Sequence, residues 1–321
     1  MIDKYDMINV LDDFSNQCRK ALELPKGITV KGEATSIVVC GVGGSGISGD
    51  LLKTYASATK LPVFVVRDYK VPEFVDEYSL VFAVSYSGNT EETLAAYKDA
   101  KSKGAKIIAI TCGGTLAKEC DKVIKIPTGL QPRAAIGYLF FPMLGVLYNS
   151  NLIDVKNEDL NEMLSLLKSN SSIKEKAQDM AKKIQGRIPL IYSSELLKPI
   201  AYRWQTQINE NAKYPAYHSS FSEMNHNEIN AFRAMERSKF LAIFLRDSKD
   251  NPRIIKRMDV CREIMERRVD VEEVKVEGSS LLASMFYTLY LGDYTSYYLA
   301  MRERVDPTPV EVIEWLKKQL A

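Results

Sequence analysis

Histidine is scarce in this sequence, and neither sign of charge is in clear excess. The 321 residues include two histidines, His218 and His226, so a zinc site would need thiolates or carboxylates for most of its ligands. No such cluster is visible in the sequence. The 43 basic and 41 acidic side chains leave a net charge of +2. Nucleic-acid binders and membrane-surface proteins usually carry a basic excess, so this balance disfavours both kinds of partner.

Cysteine is present but shows no pattern. The five cysteines are dispersed and no two have Cys-x-x-Cys spacing, which is typical of a chain in a reducing compartment. We therefore expect them to be packing residues. The opening MIDKYDMINV contains acids and no apolar core, so it does not have the pattern of a signal peptide. Together these features predict a cytoplasmic protein.

One long stretch of the sequence lacks charge. It lies between Arg133 and Asp154, and its length is near the ~20 residues that a membrane span needs. However, it contains Gly137, Pro142 and Gly145 and ends in an Asn-Ser-Asn run. We interpret it as a helix buried in the core, with a membrane span as the alternative.

Short β-branched runs alternate with helical stretches in two rounds. This alternation predicts parallel sheets covered by helices on both faces, an α/β fold with two doubly wound αβα sandwich domains. We place the domains at 1–153 and 154–321, with a polar helical connection over 155–185. The predicted strands are 36–40, 63–67, 80–84, 107–111, 188–192, 239–245 and 271–276. The predicted helices include 90–103, 195–212, 253–268 and 309–320.

A glycine-rich loop follows the first predicted strand. Residues Gly41 to Gly46 match the pattern Gly-x-Gly-x-x-Gly, and Asp68 ends the next strand, so a dinucleotide site is one interpretation. The glycines also let backbone N–H groups approach a single phosphate at a helix N-terminus. A tight turn without a ligand is the third interpretation.

A second loop favours the single phosphate. Ser85, Ser87 and Thr90 follow the strand 80–84 and precede a helix. Hydroxyl groups are neutral donors that suit a phosphate monoester, whereas a dinucleotide does not need a second set of donors. Capping of the helix would explain Thr90 but not the two serines together. The predicted phosphate-binding residues are Gly43, Gly44, Ser45, Ser85, Ser87 and Thr90.

Both loops look like those of sugar isomerase (SIS) domains, which bind phosphosugars; they read VGGSGISGD and SYSGNTEETL. Further along the chain come PRAAIGY at 132–138, QINEN at 207–211, NHNE at 225–228 and DPTPV at 306–310. In this order the series resembles the bifunctional phosphoglucose/phosphomannose isomerase family over nearly the whole chain. The resemblance implies two SIS domains, a homodimer, and interconversion of fructose 6-phosphate with glucose 6-phosphate and mannose 6-phosphate.

Aldose–ketose isomerisation moves a proton between C1 and C2 through an enediolate. It needs a base, a group that opens the sugar ring and a charge that stabilises the oxyanion. It needs no redox cofactor, and the shortage of histidine argues against a metal. By resemblance, Glu210 is the base and His226 opens the ring, supplied across the subunit interface. From the residues alone, an exposed helix glutamate and a core histidine are the alternatives.

The resemblance also implies roles for three further residues. Arg133 stabilises the enediolate; the alternatives are phosphate binding and an arginine at a helix start whose charged end reaches solvent. Lys317 lies near the sugar ring, although the adjacent Lys318 gives a second register, and a solvated lysine on the last helix is the alternative. Thr308 senses the hydroxyl at C2, which distinguishes glucose from mannose. For Glu228 the sequence itself leaves two roles open: orienting the imidazole of NHNE or serving the subunit contact.

Two other functions fit part of the sequence. A non-catalytic phosphosugar sensor would use the same loops, but it would need neither Glu210 nor His226. A nicotinamide-dependent dehydrogenase would use the glycine loop, and a lack of nicotinamide binding would exclude it. We predict the isomerase, with phosphosugars as substrates and with neither nucleic acid nor membrane as a partner.

Overall fold

The computed structural model describes residues 2–169 and 171–320, which fall into two compact units. The N-terminal unit is Asp13–Leu164, and the C-terminal unit comprises the chain up to Asp12 and from Ser165 onward. The domains predicted at 1–153 and 154–321 divide the chain before the boundary at Leu164. Their outer ends, Met1 and Ala321, lie outside the described residues.

Two tyrosines explain why the first residues belong to the C-terminal unit. The hydroxyl of Tyr290 donates to the carbonyl oxygen of Leu11 at 2.7 Å. The hydroxyl of Tyr294 donates to a carboxylate oxygen of Asp12 at 2.5 Å. The side chain of Leu11 is itself buried, so the segment adds both polar and apolar contacts to that unit.

Helices and strands alternate along most of the chain. The helices are α1 (Met7–Asp12), α2 (Phe14–Glu23), α3 (Gly44–Tyr55), α4 (Glu91–Ser102), α5 (Gly114–Glu119), α6 (Ile136–Asn149), α7 (Asn157–Lys168), α8 (Ser171–Ile184), α9 (Lys198–Ala212), α10 (Phe221–Met224), α11 (Pro252–Met265), α12 (Leu281–Arg302) and α13 (Glu311–Leu320). The strands are β1 (Ser36–Cys40), β2 (Val63–Val66), β3 (Ser79–Val84), β4 (Lys106–Thr111), β5 (Val123–Lys125), β6 (Ile188–Ser193), β7 (Tyr217–Ser220), β8 (Phe240–Arg246) and β9 (Asp270–Lys275).

The N-terminal unit is built on a five-stranded parallel sheet in the order β2-β1-β3-β4-β5. Successive side chains of β1 point to opposite faces. Val38 packs in a cluster with Ala96 and Ala100 of α4, whereas Val39 contacts α3 at Gly49. Helices therefore cover both faces of this sheet, as a doubly wound fold requires.

The C-terminal unit has a four-stranded parallel sheet in the order β7-β6-β8-β9. On one face, Tyr192 and Phe244 pack in a cluster with Met258 and Cys261 of α11. On the other face lies α9, and α12 packs against both α9 and α8. The predicted fold class, two α/β units with parallel sheets, is confirmed.

The uncharged stretch forms the short helix α6, whose side chains are almost all buried although Pro142 lies inside it. Over residues 2–169 and 171–320 we find no helix with the length and apolar character to span a membrane. The polar stretch 155–185 contains α7 and α8, and α8 packs on α12 instead of serving as a free connection.

Candidate active site

The glycine loop connects β1 to α3 in the N-terminal unit. Gly43, the residue before the helix, has φ +59°, a conformation that favours glycine. Among the described residues, no heavy atom lies within 4 Å of the point where its Cβ would be. Ser45 is buried in the first turn of the helix. The loop therefore leaves open space directly at a helix N-terminus, where an anion is favoured.

Gly44 provides the contact between this loop and Arg133. A Cβ on Gly44 would lie 3.1 Å from the carbonyl oxygen of Pro132 and 3.2 Å from the Cα of Arg133. Only a residue without a side chain lets the two backbones approach so closely. Arg133 is 3% exposed, and its Nη1 donates to Oε1 of Gln131 at 3.4 Å. The structure thus brings together two of the predicted site residues, Gly44 and Arg133.

The hydroxyl loop connects β3 to α4. The Ser85 hydroxyl, which is buried, lies 2.9 Å from the Thr90 hydroxyl and accepts from the backbone N–H of Gly88 at 3.1 Å. The Ser87 hydroxyl accepts from the N–H of Asn89 at 3.2 Å, and Ser87 is exposed. Thr90 precedes α4 but its side chain makes no capping hydrogen bond to the helix. Capping is therefore not the role of Thr90 in this structure.

The two loops lie side by side because β1 and β3 are neighbours in the sheet. A Cβ on Gly41 would lie 2.9 Å from the carbonyl oxygen of Val84, the last residue of β3. The strand order reverses between these two strands, and ligands of open α/β sheets bind outside the carboxyl ends of the strands at such a point. The predicted phosphate residues therefore share the edge where binding is expected.

In the C-terminal unit, Glu210 lines a cavity of about 650 Å³. The cavity is bounded by the end of α9, the segment that contains DPTPV and the first turn of α13. Lys213, Asp306 and Glu311 also line it, whereas Lys317 and His226 do not. Glu210 is half-buried, so its side chain is partly shielded from solvent and still borders the cavity.

The two asparagines of QINEN hold the last turn of α9. The side-chain amide of Asn211 donates to the hydroxyl of Ser296 on α12 at 2.9 Å. The side-chain amide of Asn209 donates to the carbonyl oxygen of Tyr214 at 2.8 Å. These contacts fix the backbone on both sides of Glu210, which accounts for a glutamate flanked by amides.

Lys213 is a cavity residue that the sequence did not single out. It follows α9 in the left-handed conformation, with φ +52°, and its Nζ donates to the carbonyl oxygen of Asp306 at 2.6 Å. It therefore ties the end of α9 to the DPTPV turn. In that turn the N–H of Thr308 donates to Oδ1 of Asp306 at 3.0 Å, and Thr308 is buried within the turn. A lysine at a helix end has no distinctive pattern, so no sequence signal marks it.

The remaining predicted residues lie at the surface. His226 is exposed on the turn after α10, and its backbone N–H donates to the carbonyl oxygen of Glu223 at 3.0 Å. Lys317 and Lys318 are both exposed on α13, so the structure does not choose between the two registers.

The other histidine has a different environment. Nδ1 of His218 lies 2.6 Å from Oε1 of Gln205, and its ring lies 5.0 Å from that of Tyr202. Burial, together with the charge of Lys198, lowers the pKa of His218. Within the described ranges, we also find no group of three or more histidine, cysteine, aspartate or glutamate side chains that could hold a metal ion.

Comparison with known proteins adds to this geometry. A model of the SIS domain matches residues 33–146, and a model of the bacterial phospho-glucose isomerase C-terminal SIS domain matches residues 173–320. The chain is 42% identical to a bifunctional phosphoglucose/phosphomannose isomerase of Caldicellulosiruptor bescii, covering 98% of this chain and 99% of the relative. It is 44% identical to the enzyme of the same name from Thermoplasma acidophilum, covering 90% and 91%.

A solved structure shows the same fold at low sequence identity. The C-terminal domain of glucosamine-fructose-6-phosphate aminotransferase from Francisella tularensis superposes with a TM-score of 0.71 and 16% identity. The match covers 95% of this chain and 97% of that one. The likeness supports the arrangement of strands and helices and says nothing about the reaction.

Proposed function

The chain belongs to the bifunctional phosphoglucose/phosphomannose isomerase family and is a phosphosugar isomerase, and we propose that it interconverts fructose 6-phosphate with glucose 6-phosphate and mannose 6-phosphate through an enediolate, without a metal. The observation that carries this proposal is the position of Glu210, half-buried on the wall of a 650 Å³ cavity between two anchored asparagines. A carboxylate held in this way can act as a general base.

Glu210 moves the proton between the two carbons. It takes the proton from C2 of the open-chain aldose, the released electron pair forms the C1–C2 double bond, and the carbonyl oxygen becomes an enediolate oxygen. Return of that proton to C1, with transfer of the O2 proton to O1, gives the ketose. Because C2 is planar in the enediolate, protonation of its two faces leads to the glucose and the mannose forms. These steps are proton transfers alone, which is why we propose no metal.

The N-terminal unit supplies the phosphate site and a cation. The hydroxyls of Ser85, Ser87 and Thr90 and the N–H groups at the start of α3 donate to the phosphate oxygens. Arg133, whose backbone contacts Gly44, stabilises the enediolate charge. A buried guanidinium is suited to this role because its interaction with an anion is weakly screened.

His226 opens the sugar ring by donating a proton to the ring oxygen and accepting one from the hydroxyl at C1. We propose that a homodimer forms and that His226 serves the site of the neighbouring subunit. The exposed position of His226 supports this arrangement. So does α13, which exposes Val312, Trp315 and Leu316 to solvent in the single chain. We also propose that Lys317 lies near the sugar ring and that Thr308 senses the hydroxyl at C2.

A coupled assay on fructose 6-phosphate after EDTA treatment tests the proposed function. It should follow glucose 6-phosphate and mannose 6-phosphate separately, and we expect both to form at the rate seen before treatment. Restoration of a lost rate by an added divalent ion would contradict the metal-free mechanism. Formation of glucose 6-phosphate alone would mean that the enzyme does not accept the mannose configuration at C2. Calorimetric binding of fructose 6-phosphate without either product would favour the sensor instead.

A further inference from the structure

The segment Asn225–Glu228 carries the exposed His226, yet its neighbours are fixed to the body of the C-terminal unit. The side-chain amide of Asn225 lies 2.8 Å from Sγ of Cys261 on α11, and its Oδ1 accepts from Nη1 of Arg257 at 3.3 Å. The residue before the imidazole is therefore held by α11. An imidazole on a surface turn with mobile neighbours would sample many positions, so these contacts limit its range.

On the other side of His226, Asn227 holds the turn locally. Its Oδ1 accepts from the N–H of Glu228 at 2.6 Å, and its amide donates to Oε1 of Glu223 at 2.7 Å. Neither contact reaches the sheet. A longer-range connection therefore has to come from Glu228 itself.

Tyr192 on β6 makes that connection. Its hydroxyl donates to Oε1 of Glu228 at 2.5 Å. The ring is 1% exposed and lies about 6 Å from the rings of Phe221, Phe232 and Phe244, at 6.0, 6.2 and 6.0 Å between centroids. Burial raises the pKa of Tyr192 far above its usual range, so the phenol keeps the proton that it donates. The hydroxyl is thus a fixed point at the carboxyl end of a buried strand.

We propose that Tyr192 is a positioning residue for His226: its hydroxyl binds Glu228 and thereby holds the turn that presents the imidazole to the sugar ring. The inference rests on the proposed ring-opening role of His226. It assigns Glu228 a role in orienting the imidazole, one of the two alternatives that the sequence left open. The aromatic cluster holds the ring of Tyr192 in place, and the hydrogen bond from its hydroxyl to Glu228 limits the movement of the turn.

The test compares rates on two substrates in the same preparation of Tyr192→Phe. One substrate is glucose 6-phosphate, which is cyclic, and the other is a 4,5-dideoxy aldose 6-phosphate, which has no hydroxyl to close a five- or six-membered ring. We expect kcat on the cyclic substrate to fall about tenfold, as a small misplacement of a catalytic group does, with kcat on the open-chain substrate and both KM values unchanged. The ratio of the two rates does not depend on the folded fraction.

Two variants separate positioning from general damage. Glu228→Gln keeps an oxygen that accepts from Tyr192, so it should retain most of the wild-type rate on the cyclic substrate. Glu228→Ala should show the same loss as Tyr192→Phe, and the double variant should show no larger loss. Tyr290→Phe removes another buried hydroxyl in the same unit and should leave the ratio of rates unchanged. An unchanged ratio in Tyr192→Phe would overturn the inference, whether neither rate falls or both rates fall by the same factor.

The variant His226→Ala distinguishes this inference from the proposed function. If His226→Ala lowers only the cyclic-substrate rate while Tyr192→Phe does not, the ring-opening role stands and the positioning role of Tyr192 falls. If His226→Ala leaves the ratio of rates unchanged, the ring-opening role itself falls, and the positioning role falls with it.

Discussion

The hydroxyl oxygens of Ser85 and Thr90 lie 2.9 Å apart, and the N–H of Gly88 donates to the same Ser85 oxygen. The loop therefore holds its polar groups in place through bonds to one another. Such preorganisation reduces the conformational entropy that binding costs. A phosphate would exchange the hydroxyl–hydroxyl bond for stronger bonds to a charged oxygen.

The double variant Ser87→Ala/Thr90→Ala should weaken substrate binding. Each lost bond to a charged phosphate oxygen costs about 1.5–3 kcal/mol, so KM should rise at least tenfold while kcat changes little. Steady-state kinetics on glucose 6-phosphate measures both. Ser102→Ala is the control, because Ser102 lies at the other end of α4 and its hydroxyl bonds only to the carbonyl oxygen of Asp99 among the contacts described. An unchanged KM in the double variant would leave these two hydroxyls without a binding role.

Glu210→Gln should abolish most of the turnover without loss of binding. The amide fits the same wall of the cavity but cannot take a proton, and loss of a general base typically lowers rates by about 10²- to 10⁴-fold. The measurement is kcat together with calorimetric binding of fructose 6-phosphate. Glu311→Gln changes an exposed carboxylate on the same cavity and should retain wild-type kcat. Wild-type turnover in Glu210→Gln would remove the assignment of the base.

Gly44→Ala tests the close approach of the glycine loop to Arg133. The added methyl carbon would lie 3.1 Å and 3.2 Å from backbone atoms of Pro132 and Arg133, so the backbone has to shift by a few tenths of an ångström. We expect an overpacking cost of about 1–3 kcal/mol in the free energy of unfolding, and a fall in kcat of about tenfold as Arg133 moves.

A second glycine gives the matched control. Gly129→Ala introduces strain at φ +93° in the same unit, but within the described part of the chain its Cβ would meet no atom within 4 Å. It should lower stability and leave kcat unchanged. Equal kcat values in the two glycine variants would show that the contact with Arg133 does not matter for turnover.

His218 should make stability depend on pH. Burial and the charge of Lys198 lower its pKa in the folded state, so the unfolded chain binds its proton more readily. The stabilising contribution is fully present above the unfolded pKa of about 6.5 and is lost as the pH falls through the lower folded value. Urea unfolding at pH 7.5 and pH 5 should therefore show that the free energy of unfolding falls more between these pH values in the wild type than in His218→Gln. The same loss in both proteins would exclude this group as the cause.

Strong local patterns account for the parts of the fold that sequence reasoning predicted. The run SIVVC followed by glycines marks β1 and its loop, and the helix start after Thr90 agrees with α4. The strand β7, with the sequence YHSS, lies at the edge of its sheet and has little apolar content, so it has no strand signal. The three-residue β5 is too short to show the alternation of apolar and polar residues that marks a strand.

The helix α12 went unrecognised for a different reason. It is buried on nearly all sides because it packs against both α8 and α9, so no amphipathic period is present. The site residues likewise divide into those that a local sequence pattern marks and those that it does not. Gly44, Ser85 and Ser87 belong to motifs, whereas Tyr192 and Lys213 act through tertiary contacts that no local pattern encodes.

The contacts of Leu11 and Asp12 with Tyr290 and Tyr294 affect the order in which the protein folds during synthesis. The helix α1 is synthesised before the whole N-terminal unit, whereas its partners on α12 are synthesised after that unit. The N-terminal unit, a continuous segment, can fold while synthesis continues. The C-terminal unit has to close a loop across that whole unit before it is complete, which predicts a slow late step in refolding.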